Sequence, residues 1–261
     1  MNITDTHVHS DLSFDSVEYM ENYVKKAAAD GDEYFITTEH VDLESHVLDG
    51  GDIAPDFERQ LKIIDEMNAK YPVKTLLGVE IGWRHDLHRR DMEIAHKYPF
   101  DMILLSIHET EYADVSYPDY MRGRTVDQCY DEYLDLACRA IKNFDNFDIF
   151  AHVDYVLRYI GDTDLCLHRE KLEQVFRLLI EKDKALEINT KMFPQPESVR
   201  RAEDIIRMYT AVGGRKISLG SDAHSVDRHR NGFDTVIGML KKYGVDRVCM
   251  FVKRKEFFVE I

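Results

Sequence analysis

Short apolar runs alternate with longer amphipathic stretches along the chain. The runs Ile3–His7, Tyr34–Glu39, Thr75–Ile81, Met102–Ile107, Ile149–His152, Leu186–Asn189 and Ile217–Gly220 read as buried strands, and Val248–Val252 is a weaker eighth. Between them, Val17–Ala29, Asp56–Lys70, Leu87–Lys97, Val126–Asn143, Arg169–Lys182, Glu197–Ala211 and Phe233–Lys242 repeat apolar residues with a helical period. Capping chemistry marks several starts, such as Thr125 ahead of Asp127 and Gln128, or Ser198 followed by Arg200 and Arg201. Strand–helix alternation of this kind predicts parallel β/α units in one sheet or barrel. No Pro/Gly/Ser-rich linker, low-complexity stretch or internal repeat interrupts it. The expected fold class is therefore α/β, a single TIM-like barrel domain over residues 1–261.

Composition narrows the class. The 261 residues are 44% hydrophobic and 32% charged, which suits a folded core and excludes disorder. The longest apolar runs, such as Met102–Ile107, fall far short of the roughly 18–20 residues a bilayer requires, so no membrane partner is expected. The N-terminal Met-Asn-Ile-Thr-Asp shows no positively charged start of a signal peptide. A formal net charge of −15 repels a phosphate backbone, which argues against a nucleic-acid polymer. A small phosphorylated substrate stays compatible, because bound metal reverses the local sign. Cys129, Cys138, Cys166 and Cys249 form no C-x-x-C pair and are expected to be buried thiols in a reducing cytoplasm. Nothing in the sequence specifies an oligomeric state.

The polar residues at the strand ends carry the chemistry. At the C-terminal rim of a β/α barrel such residues meet in one cleft, however far apart in sequence. His7 and His9, two apart on a strand, point the same way and can grip one ion. His40, His108, His152 and His224 each stand at a strand end, with Glu80, Asp222 and Asp15 in matching positions or the first loop. Nine donors exceed the needs of a single four- or five-coordinate ion, and with a bridging carboxylate they suit two or three. Imidazole and carboxylate without thiolate favour zinc, manganese or iron. His46, His85, His88, His96, His168 and His229 lie in loop or charged helical contexts and read as solvated, and Trp83 reads as core.

Charge then selects the substrate class. Three divalent ions against three carboxylates leave a positive cleft, which attracts a compact anion such as a phosphate monoester. The expected nucleophile is a metal-bound water of lowered pKa, attacking phosphorus. No phosphate-binding G-x-x-x-x-G-K-[ST] loop, G-x-S-x-G elbow or G-x-G-x-x-G run is present.

The motifs DTHVHS, TTEH, GVEIGW, SIHE, AHVDY with Arg158 just after it, EINT and GSDAH span most of the chain. Together they resemble the polymerase and histidinol phosphatase (PHP) family, specifically its histidinol-phosphatase branch. The resemblance implies a distorted (β/α)7 barrel hydrolysing L-histidinol phosphate in histidine biosynthesis. It also implies a ligand division: His7, His9, Glu80 and Asp222 at one metal, Glu80 bridging to a second with His108 and His152, and Asp15, His40 and His224 at a third. Asp15 stands where some members of the family carry histidine. His7, His9, Glu80, His108 and Asp222 are the residues it places at the reacting centre, with Arg158 and Lys191 near the substrate phosphate. Arg122 and Arg124 form a possible anion-facing loop, and Asp154 and Glu109 are candidates for the cationic part of the substrate. Rival readings are a PHP phosphoesterase acting on nucleotides or phosphotyrosine, and a non-catalytic metal-binding scaffold. An amidohydrolase would require lysine and histidine where His108 and Asn189 stand.

Overall fold

The structure, a computed structural model, describes residues 2–261. In chain order its first half runs α1 (Met20–Asp30), β1 (Tyr34–Ser45), β2 (Gly51–Ile53), α2 (Phe57–Lys70), β3 (Lys74–Gly82), α3 (His88–Lys97) and β4 (Met102–Ser106). There follow α4 (Pro118–Met121), α5 (Val126–Asn143), β5 (Ile149–Phe150), α6 (Leu157–Ile160), α7 (Arg169–Glu181), β6 (Ala185–Asn189), α8 (Pro196–Ala211) and β7 (Ile217–Gly220). The chain closes with α9 (Phe233–Lys242), β8 (Arg247–Val252) and β9 (Lys255–Glu260). The central sheet has seven strands in the order β2-β1-β3-β4-β5-β6-β7, parallel throughout except for β2.

The two faces of this sheet differ, as strand alternation requires. One face carries Phe35, Leu77, Val79, Ile81, Ile103, Leu105, Phe150, Leu186 and Ile188 against the helices. The other face changes character along each strand. It begins apolar with Ile36, Leu76, Met102, Leu104, Ile149 and Ala185, packed together with Cys249, Met250 and Phe251. Two to six residues further on, the same face becomes His40 and Asp42, Glu80 and Gly82, Ser106, and Glu187 and Asn189. Register places His40 beside Glu80, and Glu80 beside Leu104. A greasy floor thus underlies a polar rim at the C-terminal ends of the strands.

Seven strands were expected, but they are not the same seven. Ile3–His7 forms no strand. His7 N–H donates to the Asp5 carboxylate at 3.3 Å and Val8 N–H to the Thr38 hydroxyl at 3.0 Å, so side chains take the donors that a regular ladder would use. The segment nevertheless touches two strands: Thr6 N–H donates to Leu219 O, His9 N–H to Ala223 O, and Thr38 N–H to Val8 O. β2, which was not expected, supplies the seventh strand. The eighth candidate is real but lies outside the sheet, paired antiparallel with β9 through a Lys253-Arg254 turn in which both residues have positive φ. Its side chains cover the apolar floor, and the Arg254 guanidinium bonds Asp148 at 2.6 Å.

Caps explain the helix boundaries. Thr125 and Gln128 form a complete capping box on α5, and Asp56 caps α2 by accepting from Arg59 N–H at 3.0 Å. Ser198 is not a cap: α8 begins at Pro196, preset for a first helical turn, and Ser198 instead accepts from Arg201. α1 starts three residues later than its pattern suggests, because residues 10–19 are tied into a loop by Asp11 N–H donating to Glu18 O. That loop carries Asp15. Among the described residues, no helix is long and apolar enough to cross a membrane.

Candidate metal centre

The polar rim concentrates imidazoles around one carboxylate. Glu80 Oε1 lies 2.8 Å from His152 Nε2 and 3.1 Å from His108 Nε2. Its Oε2 lies 3.2 Å from His7 Nε2, 3.1 Å from His40 Nδ1 and 3.5 Å from His9 Nε2. His7 and His9, sharing one side of their segment as expected, bring their Nε2 atoms within 3.1 Å. Asp222 Oδ1 is 3.5 Å from His9 Nε2, and Asp15 Oδ2 is 2.7 Å from His224 Nε2 and 3.6 Å from His40 Nε2. All the ligand candidates read from the sequence therefore meet here. Asp15 and His224 form the outer, more exposed edge, while His7, His9 and Glu80 are fully buried.

Two ligand candidates depend on unusual backbone. By alternation His152, next to inward-facing Ala151, belongs on the helix-packed face. It has a φ of 20°, which ends β5 early and allows its ring to reach Glu80. Asp222, just beyond β7, adopts a left-handed φ of 51°. Such conformations cost energy in non-glycine residues and concentrate at functional sites.

The electrostatics describe a site built for cations. Burial opposes ionisation of Glu80, yet the neighbouring His7, His108 and His40 hold its pKa well below the usual carboxylate range. Burial likewise disfavours charged imidazoles. Against that, Glu187 and Glu80 raise the pKa of His7, Asp42 and Glu80 raise that of His108, and Glu80 and Asp15 raise His40 to about 10. His9 goes the other way, lowered by burial and by the adjacent His40. In the metal-free chain, His7, His40 and His108 thus favour the protonated form that balances the buried carboxylates.

A divalent ion fits the same donors. Four groups, His9–His40–His224, His7–His152–Asp222, His7–His9–Glu80 and His40–Glu80–His108, each place one ligand atom per residue within 4.8 Å of the others. Glu80 Oε2 and His40 Nδ1 are buried without a well-aligned hydrogen bond. The donor set is imidazole and carboxylate throughout, a set compatible with zinc, manganese or iron.

The two substrate cations read from the sequence both sit at Asp222. Arg158 Nη1 lies 2.9 Å from Asp222 Oδ2 and its Nη2 donates to Asn189 Oδ1 at 2.7 Å, with the guanidinium over the Tyr155 ring. Lys191 Nζ lies 3.0 Å from Asp222 Oδ1 and 3.2 Å from His224 Nδ1. The other charged residues read from the sequence also have partners. Arg122 pairs with Asp119, and Arg124 pairs with Glu132 against Tyr120. Asp154 is held by Arg201 at 3.0 Å, and Glu109 by Arg84 at 3.3 Å and Ser45. His168 and His229 are buried rather than solvated: His168 bonds Asp131 and Asp127, while His229 lies near Asp5.

Sequence reasoning overlooked the carboxylates behind the rings. Asp42 bonds His108 Nδ1 at 2.8 Å, and Glu187 bonds His7 Nδ1 at 2.7 Å and accepts from His152 N–H at 2.8 Å. Ser13 Oγ stands 3.1 Å from His9 Nδ1. Asp42 lies two residues past His40 on the same strand, and that spacing was the available signal.

Known proteins share this fold and much of this sequence. The PHP domain family profile matches residues 5–191. A histidinol-phosphatase of Lactococcus lactis is 30% identical over 95% of this chain and 93% of its own. A probable histidinol-phosphatase of Clostridium acetobutylicum is 27% identical over 97% of this chain and 98% of its own. The crystal structure of the Lactococcus lactis histidinol phosphate phosphatase, complexed with zinc, L-histidinol and phosphate, superposes with a TM-score of 0.91 at 29% identity, covering 98% of both chains.

Proposed function

The chain belongs to the PHP-domain family, and on that footing we propose that it is a metal-dependent phosphomonoesterase hydrolysing L-histidinol phosphate to L-histidinol and phosphate, a step of histidine biosynthesis. The observation that carries this reading is the convergence on Glu80 of imidazoles from four separate segments, with Arg158 anchored at the edge. The near full-length likeness to a zinc-containing histidinol phosphate phosphatase supports the substrate.

In this reading two or three ions are held, zinc first and manganese or iron as alternatives. His7, His9, Glu80 and Asp222 hold one, Glu80 with His108 and His152 a second, and Asp15, His40 and His224 a third. Bound ions supply positive charge for phosphoryl oxygens and acidify a coordinated water. The chain's own residues do the positioning. Asp222 and Asn189 aim the planar Arg158 guanidinium, ready to exchange those partners for two phosphate oxygens. Lys191 adds a mobile point charge on the same side. As the P–O bond to the alcohol breaks, these cations offset charge gathering on the phosphoryl oxygens.

The same reading closes the sheet into a distorted barrel through residues 6–9, supported by their hydrogen bonds to β7 and β1. It treats the chain as one domain, because the C-terminal hairpin packs on the sheet's own apolar floor. Four free cysteines suit a reducing compartment, so the cytoplasm is the proposed location. The net charge of −15 favours a small phosphate ester over a nucleic-acid polymer.

The test is phosphate release from L-histidinol phosphate by metal-stripped protein reloaded with zinc. Release is expected only after reloading, and His108→Ala and Asp222→Asn, shown folded by circular dichroism, are expected to abolish it. Release that persists without metal, or in both variants, would overturn the reading.

A further inference from the structure

Two of the metal-facing imidazoles are gripped from behind in the same way. Asp42 Oδ1 lies 2.8 Å from His108 Nδ1, and Glu187 Oε1 lies 2.7 Å from His7 Nδ1. Both carboxylates are buried, and each points one oxygen at the Nδ1 of its histidine. A carboxylate oxygen accepts, so Nδ1 is the donor in each pair. The remaining nitrogen, Nε2, then faces Glu80, at 3.1 Å from His108 and 3.2 Å from His7.

Each pair also rests against a glycine on a neighbouring strand. A Cβ built on Gly82 would stand 1.8 Å from Asp42 Oδ1 and 3.0 Å from His108 Nδ1. One built on Gly220 would stand 1.9 Å from Glu187 Oε1 and 2.6 Å from His7 Cβ. Neither glycine has a positive φ, so the backbone itself would accept any L-residue at both places. What excludes a side chain at Gly82 is chiefly the volume of the Asp42 carboxylate, and at Gly220 that of the Glu187 carboxylate together with His7 Cβ. The repetition matters: two strands that are not neighbours, β3 and β7, leave out a side chain at the point where a carboxylate passes to a histidine.

We propose that Asp42 with Gly82, and Glu187 with Gly220, are two matched positioning units that fix the tautomer and aim of His108 and His7 toward the metals, the glycines serving as clearance for the carboxylates. This rests on the metal-binding reading above. Neither carboxylate belongs to the groups of converging ligand atoms; each acts through its histidine, and such outer contacts typically contribute about 10–100-fold to metal affinity. Glu187 does a second job with its other oxygen, accepting His152 N–H at 2.8 Å and so holding the strained turn that presents a further ligand.

The test is zinc binding to the purified chain, read by competition with a chromophoric chelator at fixed pH, independent of catalysis. Asp42→Ala and Glu187→Gln are each expected to weaken zinc binding by about 10–100-fold. Gly82→Ala is expected to match Asp42→Ala, because the new methyl displaces the flexible carboxylate end rather than backbone. The decisive variant is the double Asp42→Ala/Gly82→Ala, expected to bind zinc no worse than Asp42→Ala alone, since its methyl has no carboxylate left to displace. Wild-type affinity in Gly82→Ala, or additive losses in the double variant, would overturn the proposal while leaving the metal site standing. A wild-type chain that binds no zinc would overturn both.

Discussion

Arg158 and Asp222 form a buried ion pair, Nη1 to Oδ2 at 2.9 Å. One partner is a candidate phosphate ligand and the other a candidate metal ligand, so substrate charge and metal charge share a carboxylate. Burial opposes ionisation of Asp222, but Lys191, His7 and Arg158 together hold its pKa well below the usual range. Arg158→Ala is expected to lower kcat/KM for L-histidinol phosphate by about 10–100-fold, the scale of a charged hydrogen bond worth roughly 1.5–3 kcal/mol. Arg158→Lys should recover only part, because lysine lacks the planar fork. Michaelis kinetics on the three proteins decide it, and an unchanged kcat/KM in both variants would refute the role.

Lys191 reaches the same carboxylate from a side chain about one third exposed. Solvent screens such a charge, so Lys191→Met is expected to cost under about tenfold in kcat/KM, mostly through KM. The loss should shrink as salt rises from low to physiological ionic strength, a trend that steady-state assays in a salt series would reveal.

Metal and protons compete for the same nitrogens. His7 and His108 have pKa values well above the usual, and His40 is raised to about 10, so all three rings carry protons near pH 7 in the metal-free chain. A bound ion must displace them. Zinc affinity is therefore expected to rise with pH through neutrality, with protons released on binding. Calorimetric titration in two buffers of different ionisation enthalpy measures that release directly, and identical apparent enthalpies would contradict it.

Asp91 on α3 is buried, and burial, with the Asp42 charge adding to it, pushes its pKa up to about 8. Its folded value thus lies above the unfolded one. The stability it contributes is complete below about pH 4 and is lost as pH rises through about 8. His40 adds a second decline in the metal-free chain, starting near its ordinary value of 6.5 and running to about 10. Denaturant melts of metal-free Asp91→Asn against wild type isolate the first contribution. The variant should gain relative stability by roughly 2–5 kcal/mol between pH 4 and 8. A constant difference across that range would refute the assignment.

The convergence of the candidate ligands was legible in the sequence because strand ends announce themselves: a short apolar run stops at His40, His108 or Asp222, and H-x-H spacing fixes a shared face for His7 and His9. The alternation also gave the helices to within a few residues. Three features were not legible, each for a physical reason. The segment at His7 follows a strand-like pattern, yet the Asp5 and Thr38 side chains take its backbone donors. The Asp42–His108 and Glu187–His7 bonds join residues 66 and 180 positions apart, and no local period encodes such pairs. Lastly, His168 lies among charged residues that read as a wet surface, but Asp131 and Asp127 fold over it and bury it.

The most direct test of the central claim is the ratio of kcat/KM values for L-histidinol phosphate, a nucleoside monophosphate and p-nitrophenyl phosphate on zinc-loaded protein. A value of about 10⁴ M⁻¹s⁻¹ or more for L-histidinol phosphate, far above the other two, is the expected result. Uniformly weak turnover of all three would contradict the histidinol assignment, and equal, efficient turnover would make the chain a general phosphomonoesterase of the same metal chemistry.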